Sequence, residues 1–232
     1  MKYLKLLGTA LGAILLTGCV SNKALDIPTD FWQTADDKMV AVAFVQPPEM
    51  YAHRAGGQGL LDIVINEVVT DSVETHIQSL QHDKFEASKS KLAKLIESRG
   101  GQSIILPEYY QASDENKLPK ELRKKGHFDY DTSALVEHYD ATHLLVVQTM
   151  AAGTLRDYYG FIPTSKPRGY VNAELTLVDL SDNRIVMTHQ IIEQVLLPEG
   201  VDWDDADNSF PEITKVVHMA LERAASRLTQ VL

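Results

Sequence analysis

The chain has 232 residues, 44% of them apolar and 23% charged, with a net charge of −10 at neutral pH and a single cysteine. That length is ample for one domain with a self-sufficient core. The acidity speaks against nucleic acid or anionic headgroups as partners, and one thiol excludes an internal disulfide framework.

The N-terminus opens with Lys2 and Lys5 and no acid, followed by an apolar run of eleven residues from Leu6 to Leu16. Such a run fits a signal-peptide core of about 7–15 residues and falls short of the ~20 needed to span a bilayer as a helix. It closes on Leu16-Thr17-Gly18-Cys19. This stretch resembles the lipobox of bacterial lipoproteins, in which the sulfur of the cysteine is lipidated and the leader is cut before it. The resemblance implies residues 1–18 as a signal peptide, a thioether lipid and an amide-linked acyl chain on Cys19, and membrane attachment through that residue. One acyl chain binds a membrane marginally and two signals anchor stably, so this arrangement would hold firmly. Val20 stands where an Asp would signal inner-membrane retention, which points to the outer membrane with the domain facing the periplasm. Loss of the leader removes Lys2 and Lys5 and leaves 20 basic against 32 acidic residues, a net charge of −12.

Residues 19–30 read as a short lipidated tether, and residues 31–232 as one α/β domain starting near Phe31-Trp32. The ten residues from Val20 to Thr29 span at most ~35 Å, so the domain should sit against its membrane. Met39 to Val45 is an unbroken apolar run, the pattern of a strand covered on both faces, and Pro47-Pro48 ends it. The stretch through Gly56-Gly57-Gln58-Gly59 reads as a loop. Leu60 to Leu80 then carries apolar residues at helical spacing, and Phe85, Leu92, Leu95 and Ile96 form a second stripe out of phase with the first. Two helices with a break near Gln81-His82-Asp83 follow, ending at Gly100-Gly101.

Ser103 to Pro107 reads as a short strand, residues 108–126 as a polar connection, and Asp131 or Thr132 as the cap of a short helix through Tyr139. Thr142 to Met150 reads as a buried strand. Tyr170 to Val178 alternates, with Val171, Ala173, Leu175 and Leu177 on one side, and Arg184 to Leu197 returns antiparallel after a turn at Asp182-Asn183. Ser209 and Glu212 form a capping-box pattern with Pro211 in the first turn. The following apolar stripe runs from Ile213 through Val216, Val217, Ala220, Leu221, Ala224 and Leu228 to Val231. The expected architecture is α/β with α+β character at the C-terminus: a mixed sheet of about five strands with helices packed on it, a terminal β-hairpin and a closing C-terminal helix.

The element order over residues 38–232 resembles an envelope fold found in the curli secretion lipoprotein, the penicillin-binding-protein activator lipoprotein and the N-terminal domain of the Tol translocation protein. A weak echo lies in residues 140–147 and 177–186. The stretch from Gly57 to Ile63 also resembles uncharacterised bacterial lipoproteins. Neither likeness carries a functional motif.

No catalytic signature is legible: there is no G-x-S-x-G elbow, and Ser165 has no activating neighbours in sequence. Eight histidines are present, but none forms H-E-x-x-H or a zinc spacing. Gly57, Gln58 and Gly59 open a helix and could present N–H groups to an anion, although neither G-x-G-x-x-G nor a P-loop is present. Asp202, Asp204, Asp205 and Asp207 make a weak calcium candidate; an EF-hand would need Gly and Glu where Asp207 and Ile213 stand. No cofactor is called for.

The most partner-like stretch is the hairpin tip from Leu155 to Pro163. There Arg156, Tyr158, Tyr159, Phe161 and Ile162 are residue types that carry interface energy. The rings could instead fold back onto the core or touch lipid. The favoured expectation is a non-enzymatic outer-membrane lipoprotein that docks another envelope protein or a second copy. The alternatives are a periplasmic small-ligand or ion-binding module using the Gly-rich or acidic loop, and a hydrolase.

Overall fold

The computed structural model describes residues 24–56 and 71–232. Cys19, Gly57, Gln58, Gly59 and the first half of the expected Leu60–Leu80 helix lie outside the described residues.

The fold is built around one long strand, β4 (His143–Tyr159, 17 residues). Strand β1 (Met39–Phe44) runs parallel to its first half, and β3 (Gln102–Ile105) runs parallel to β1 on the far side. On the other edge of β4, β6 (Arg168–Asp179) runs antiparallel along its length, and β7 (Arg184–Leu196) pairs antiparallel with β6. The main order is therefore β3-β1-β4-β6-β7, a mixed sheet as expected.

Two further strands raise the count from the expected five to seven. Strand β2 (Tyr51–Ala55) joins the edge of β4 that β1 has left, pairing Tyr51 with Gly153 and Ala55 with Asp157. Strand β5 (Ile162–Pro163) pairs with Tyr158 and Tyr159 across a tight turn. The segment before Gly56 expected as loop is thus partly strand, and β4 runs nine residues past Met150. The physical reason is a bulge. The β4–β6 register shifts between Thr149 and Ala151, and an extra residue flips the inward set, breaking the sequence alternation.

The helices are α1 (Asp71–Gln78), α2 (Asp83–Glu86), α3 (Ser88–Ser98), α4 (Ser133–Tyr139) and α5 (Pro211–Val231). The break at residues 79–82 falls close to the expected Gln81-His82-Asp83 and the end comes just before Gly100-Gly101, but a further interruption at Ala87 makes three helices of the expected two. Asp131 caps α4 by accepting the Ser133 N–H at 2.9 Å. The capping box of α5 does not form. Its N-cap is Phe210 in a left-handed conformation (φ 49°), without a side-chain cap bond. Burial of the Phe210 ring, 5% exposed and 5.4 Å from the His76 ring, decides that geometry over the Ser209 hydroxyl.

The larger core lies between α5 and the sheet, where Val171, Ala173, Leu175 and Leu177 meet Ile213, Val217, Leu221 and Leu228. A second, smaller core lies on the opposite face, where Ala41, Ala43, Leu144 and Val146 are covered by Leu106, Tyr110 and Leu135. Strand β1 is thereby buried on both faces, as its unbroken apolar run predicts. At the N-terminal side the chain already joins the sheet at Leu25. Its N–H and C=O exchange bonds with Thr188 at 2.9 and 3.0 Å, and Ile27 packs on the core, ahead of Phe31. No helix among the described residues is long and apolar enough to cross a membrane.

Candidate functional site

The chemistry of the molecule gathers at the far end of β4, where β2, the β4–β5 turn and the loop before α5 converge. Alternation along β4 turns Thr154, Arg156 and Tyr158 toward the α5 side of the sheet, and Tyr159 to the opposite side. Two side chains expected together at the tip therefore part. Tyr158 folds back and is 6% exposed, whereas Tyr159, Phe161 and Ile162 stand 80%, 54% and 53% exposed.

Gly160, with φ 59°, opens the two-residue turn between β4 and β5, a position where a glycine relieves the left-handed backbone. The base of the tip is laced tightly. Arg168 donates to both carboxylate oxygens of Asp157 at 2.7 and 3.0 Å and to Gln194 Oε1 at 2.7 Å. Those bonds hold the Asp157 carboxyl below its ordinary range. Ser165 is a lacing residue too. Its hydroxyl accepts the Asp157 N–H at 2.9 Å, and its carbonyl accepts from Arg156 Nε at 2.8 Å.

Behind the tip is a cleft of about 350 Å³. Its floor is Ala52 and Arg54 of β2 with Thr154, Arg156 and Tyr158 of β4, and its wall is Trp203, Asp204 and Phe210. The Arg156 guanidinium lies 4.9 Å from the Trp203 ring and 5.8 Å from the Tyr158 ring, and Arg54 lies 5.9 Å from Tyr158 on its own side. Arg156 from the expected interface and Asp204 from the acidic loop thus share one cavity, although 48 residues separate them in sequence. Sequence reading missed Arg54 and Trp203. The signal was faint: five half-polar residues after a Pro-Pro pair, and one indole inside a run of acids.

The remaining acids do not assemble into a metal centre. Asp205 accepts from Asn208 N at 3.3 Å and from Asn208 Nδ2 at 2.7 Å, stabilising a single 3₁₀ turn. A carboxyl–carboxyl hydrogen bond with Asp204 pushes the Asp202 pKa up. Among the described residues no group of three or more His, Cys, Asp or Glu side chains is placed to hold a metal ion.

The histidines are used one at a time. His53 Nε2 donates to the Ala152 carbonyl at 3.1 Å, and its ring packs against Tyr51 and Tyr170 at 3.8 and 5.4 Å. Burial lowers its pKa, with the carbonyl bond acting in the other direction. His76 meets Thr214 Oγ1 at 2.7 Å, and His82 meets the Pro48 carbonyl at 3.0 Å.

The chain matches no family model and no curated protein sequence. Among solved structures it is similar to a Helicobacter pylori homologue of a neuraminyllactose-binding hemagglutinin, at 14% identity and a TM-score of 0.40, over 90% of this chain and 92% of that one. It is also similar to the PelC dodecamer of Paraburkholderia phytofirmans, at 10% identity and a TM-score of 0.34, over 89% and 96% of the two chains. A third is lipoprotein GNA1162 of Neisseria meningitidis, at 12% identity and a TM-score of 0.28, over 83% and 99%. At that level of overlap none of them carries a function to this chain.

Proposed function

We propose that this protein is a lipid-anchored envelope lipoprotein, held in the outer membrane by Cys19, that works without catalysis by docking a protein partner on its β4–β5 tip. One observation carries the reading. Tyr159, Phe161 and Ile162 stand more than half exposed together, on a hairpin whose base is fixed by the Asp157–Arg168 pair. Large apolar side chains held rigidly in water lose little entropy when a partner covers them.

The test places a photo-crosslinking amino acid at Phe161 in the full-length lipoprotein, with a control at Leu122, which is 60% exposed on another surface. The expected result is one discrete protein adduct from position 161 and none from position 122, lost when Tyr159→Ser is added. Adducts to lipid alone, or the same adducts from both positions, would overturn the docking reading. Cys19→Ala should release the protein from membranes; retention with unchanged mobility would overturn the anchor.

A further inference from the structure

One surface loop is charged opposite to the chain as a whole. Pro119 to Lys125 carries Lys120, Arg123, Lys124 and Lys125 against Glu121 alone, a net +3 in seven residues, where the chain without its leader carries −12. Lys120, Lys124 and Lys125 are exposed. Among the described residues none of the four cations is in an ion pair. Leu122 stands in their midst, 60% exposed. Cations flanking an exposed leucine suit a lipid headgroup layer, with the charges at the phosphates and the apolar side chain beneath them.

The base of the loop is fixed. The Leu118 N–H donates to the Asp129 carbonyl at 2.8 Å, and the Gly126 carbonyl accepts from the Ile185 N–H at 2.9 Å, which ties the loop to the start of β7. Its placement is the second, independent observation. Lys125 and Gly126 line one surface cavity with Ala24, Leu25 and Asp26, and Leu25 is itself bonded to β7 at Thr188. Cys19 precedes Leu25 by six residues, so an anchor on Cys19 also brings this loop to the membrane. The net charge of the chain does not decide against such a contact. At physiological ionic strength a charge is felt over about 8 Å, and several neighbouring acids are already paired: Asp26 with His189 at 3.0 Å, Asp114 with Lys117 at 3.8 Å and Asp182 with Arg184 at 3.9 Å.

We propose that the Pro119–Lys125 loop is a membrane-contact surface that binds anionic phospholipid headgroups and fixes how the domain sits on its leaflet. Lys120, Lys124 and Lys125 meet the headgroup phosphates, and Leu122 enters the layer between them. The inference rests on the Cys19 anchor for bringing the loop to the membrane, and it uses none of the residues of the β4–β5 tip.

The experiment places an environment-sensitive fluorescent amino acid at position 122 of the full-length lipoprotein. The protein is reconstituted with vesicles of phosphatidylcholine, alone or mixed with phosphatidylglycerol. Flotation reports the anchor, and emission reports the loop. The chain is expected to float with both vesicles. Blue-shifted emission, quenched by a headgroup spin label, is expected only with phosphatidylglycerol and should vanish at high salt. Each basic residue near an anionic surface strengthens binding about fivefold. Lys120→Glu/Lys124→Glu/Lys125→Glu, at three exposed positions, should therefore lower the partition of the loop by at least about a hundredfold and leave flotation unchanged. Emission shifted equally in both vesicles, shifted in neither, or shifted in the triple variant as in the native chain would each overturn the proposal. Failure to float with phosphatidylcholine would instead sink the anchor. The emission of that unanchored chain on added phosphatidylglycerol vesicles would still decide for or against the loop.

Discussion

Gly169 has only a hydrogen where other residues carry a side chain, and α5 rests on it. A Cβ built there would lie 2.0 Å from the Val216 carbonyl oxygen and 2.4 Å from its carbon. Both atoms belong to helix backbone, which cannot swing aside as a side-chain tip can. Overpacking a well-filled interior costs about 1–3 kcal/mol. We expect Gly169→Ala to fall at the upper end, read as a lower urea midpoint with an unchanged denaturant slope. An unaltered midpoint would mean that α5 slides freely on the sheet. In sequence this glycine is indistinguishable from one that makes a turn; only the helix laid across it reveals the need. Gly56 is a companion case, since a Cβ there would lie 2.0 Å from the Tyr158 carbonyl oxygen and would prise β2 from β4 at the edge of the cleft.

At the scale of elements, the short helix α4 ends on Asp140 in the left-handed conformation, φ 50°. A non-glycine residue there is strained by roughly 1–2 kcal/mol, and a carboxylate faces the negative end of the helix. Glycine removes the strain but loosens the unfolded chain by about 0.4–1 kcal/mol. Asp140→Gly should therefore stabilise by about 1 kcal/mol or less; a lower thermal midpoint would show that the exposed carboxylate has a structural use.

The same scale explains what was legible in sequence. Strand β1, the β6–β7 hairpin and α5 each carry an uninterrupted period, so burial and pattern agree, and each formed where its residues placed it. Strand β4 was half legible. Its apolar first half reads plainly, but after Met150 come two alanines and a glycine at a bulge, which erase both β-propensity and alternation. The candidate site suffered from that loss. Tyr158 and Tyr159 are neighbours in a tip that reads as one aromatic patch, yet a strand sends them to opposite faces. The cleft behind the tip was illegible because Arg54 and Arg156 meet only through a parallel pairing of β2 with β4, a contact across 102 residues.

For the whole molecule, acid should act before the carboxylates do. His53, His76, His82 and His143 all have pKa values lowered from the usual histidine value by burial, and they lie on different elements. His143 is typical: 8% exposed at the start of β4, with Nδ1 held by the Thr142 hydroxyl at 2.9 Å and its ring edge-on to Phe31 at 5.2 Å. A histidine whose folded pKa lies below its unfolded one binds fewer protons folded than unfolded, so stability rises with pH across the interval between the two values. The stabilisation is complete above about pH 6.5 and is lost as the pH falls from there through the lowered folded values. Asp131, Asp157 and Asp179 are also lowered, but they withdraw their support only below about pH 4. Carboxylates stay ionised between pH 6.5 and 5.5, so repulsion within this acidic chain changes little in that window. We expect the urea midpoint to be flat from pH 8.5 to 7 and to fall on acidification from pH 6.5 to 5.5. The fall should be shallower in His143→Gln, which has no charge to acquire. A midpoint that rises on acidification through the same window would mean that these histidines gain anionic partners on folding, and would refute burial as the dominant cause of their shifts.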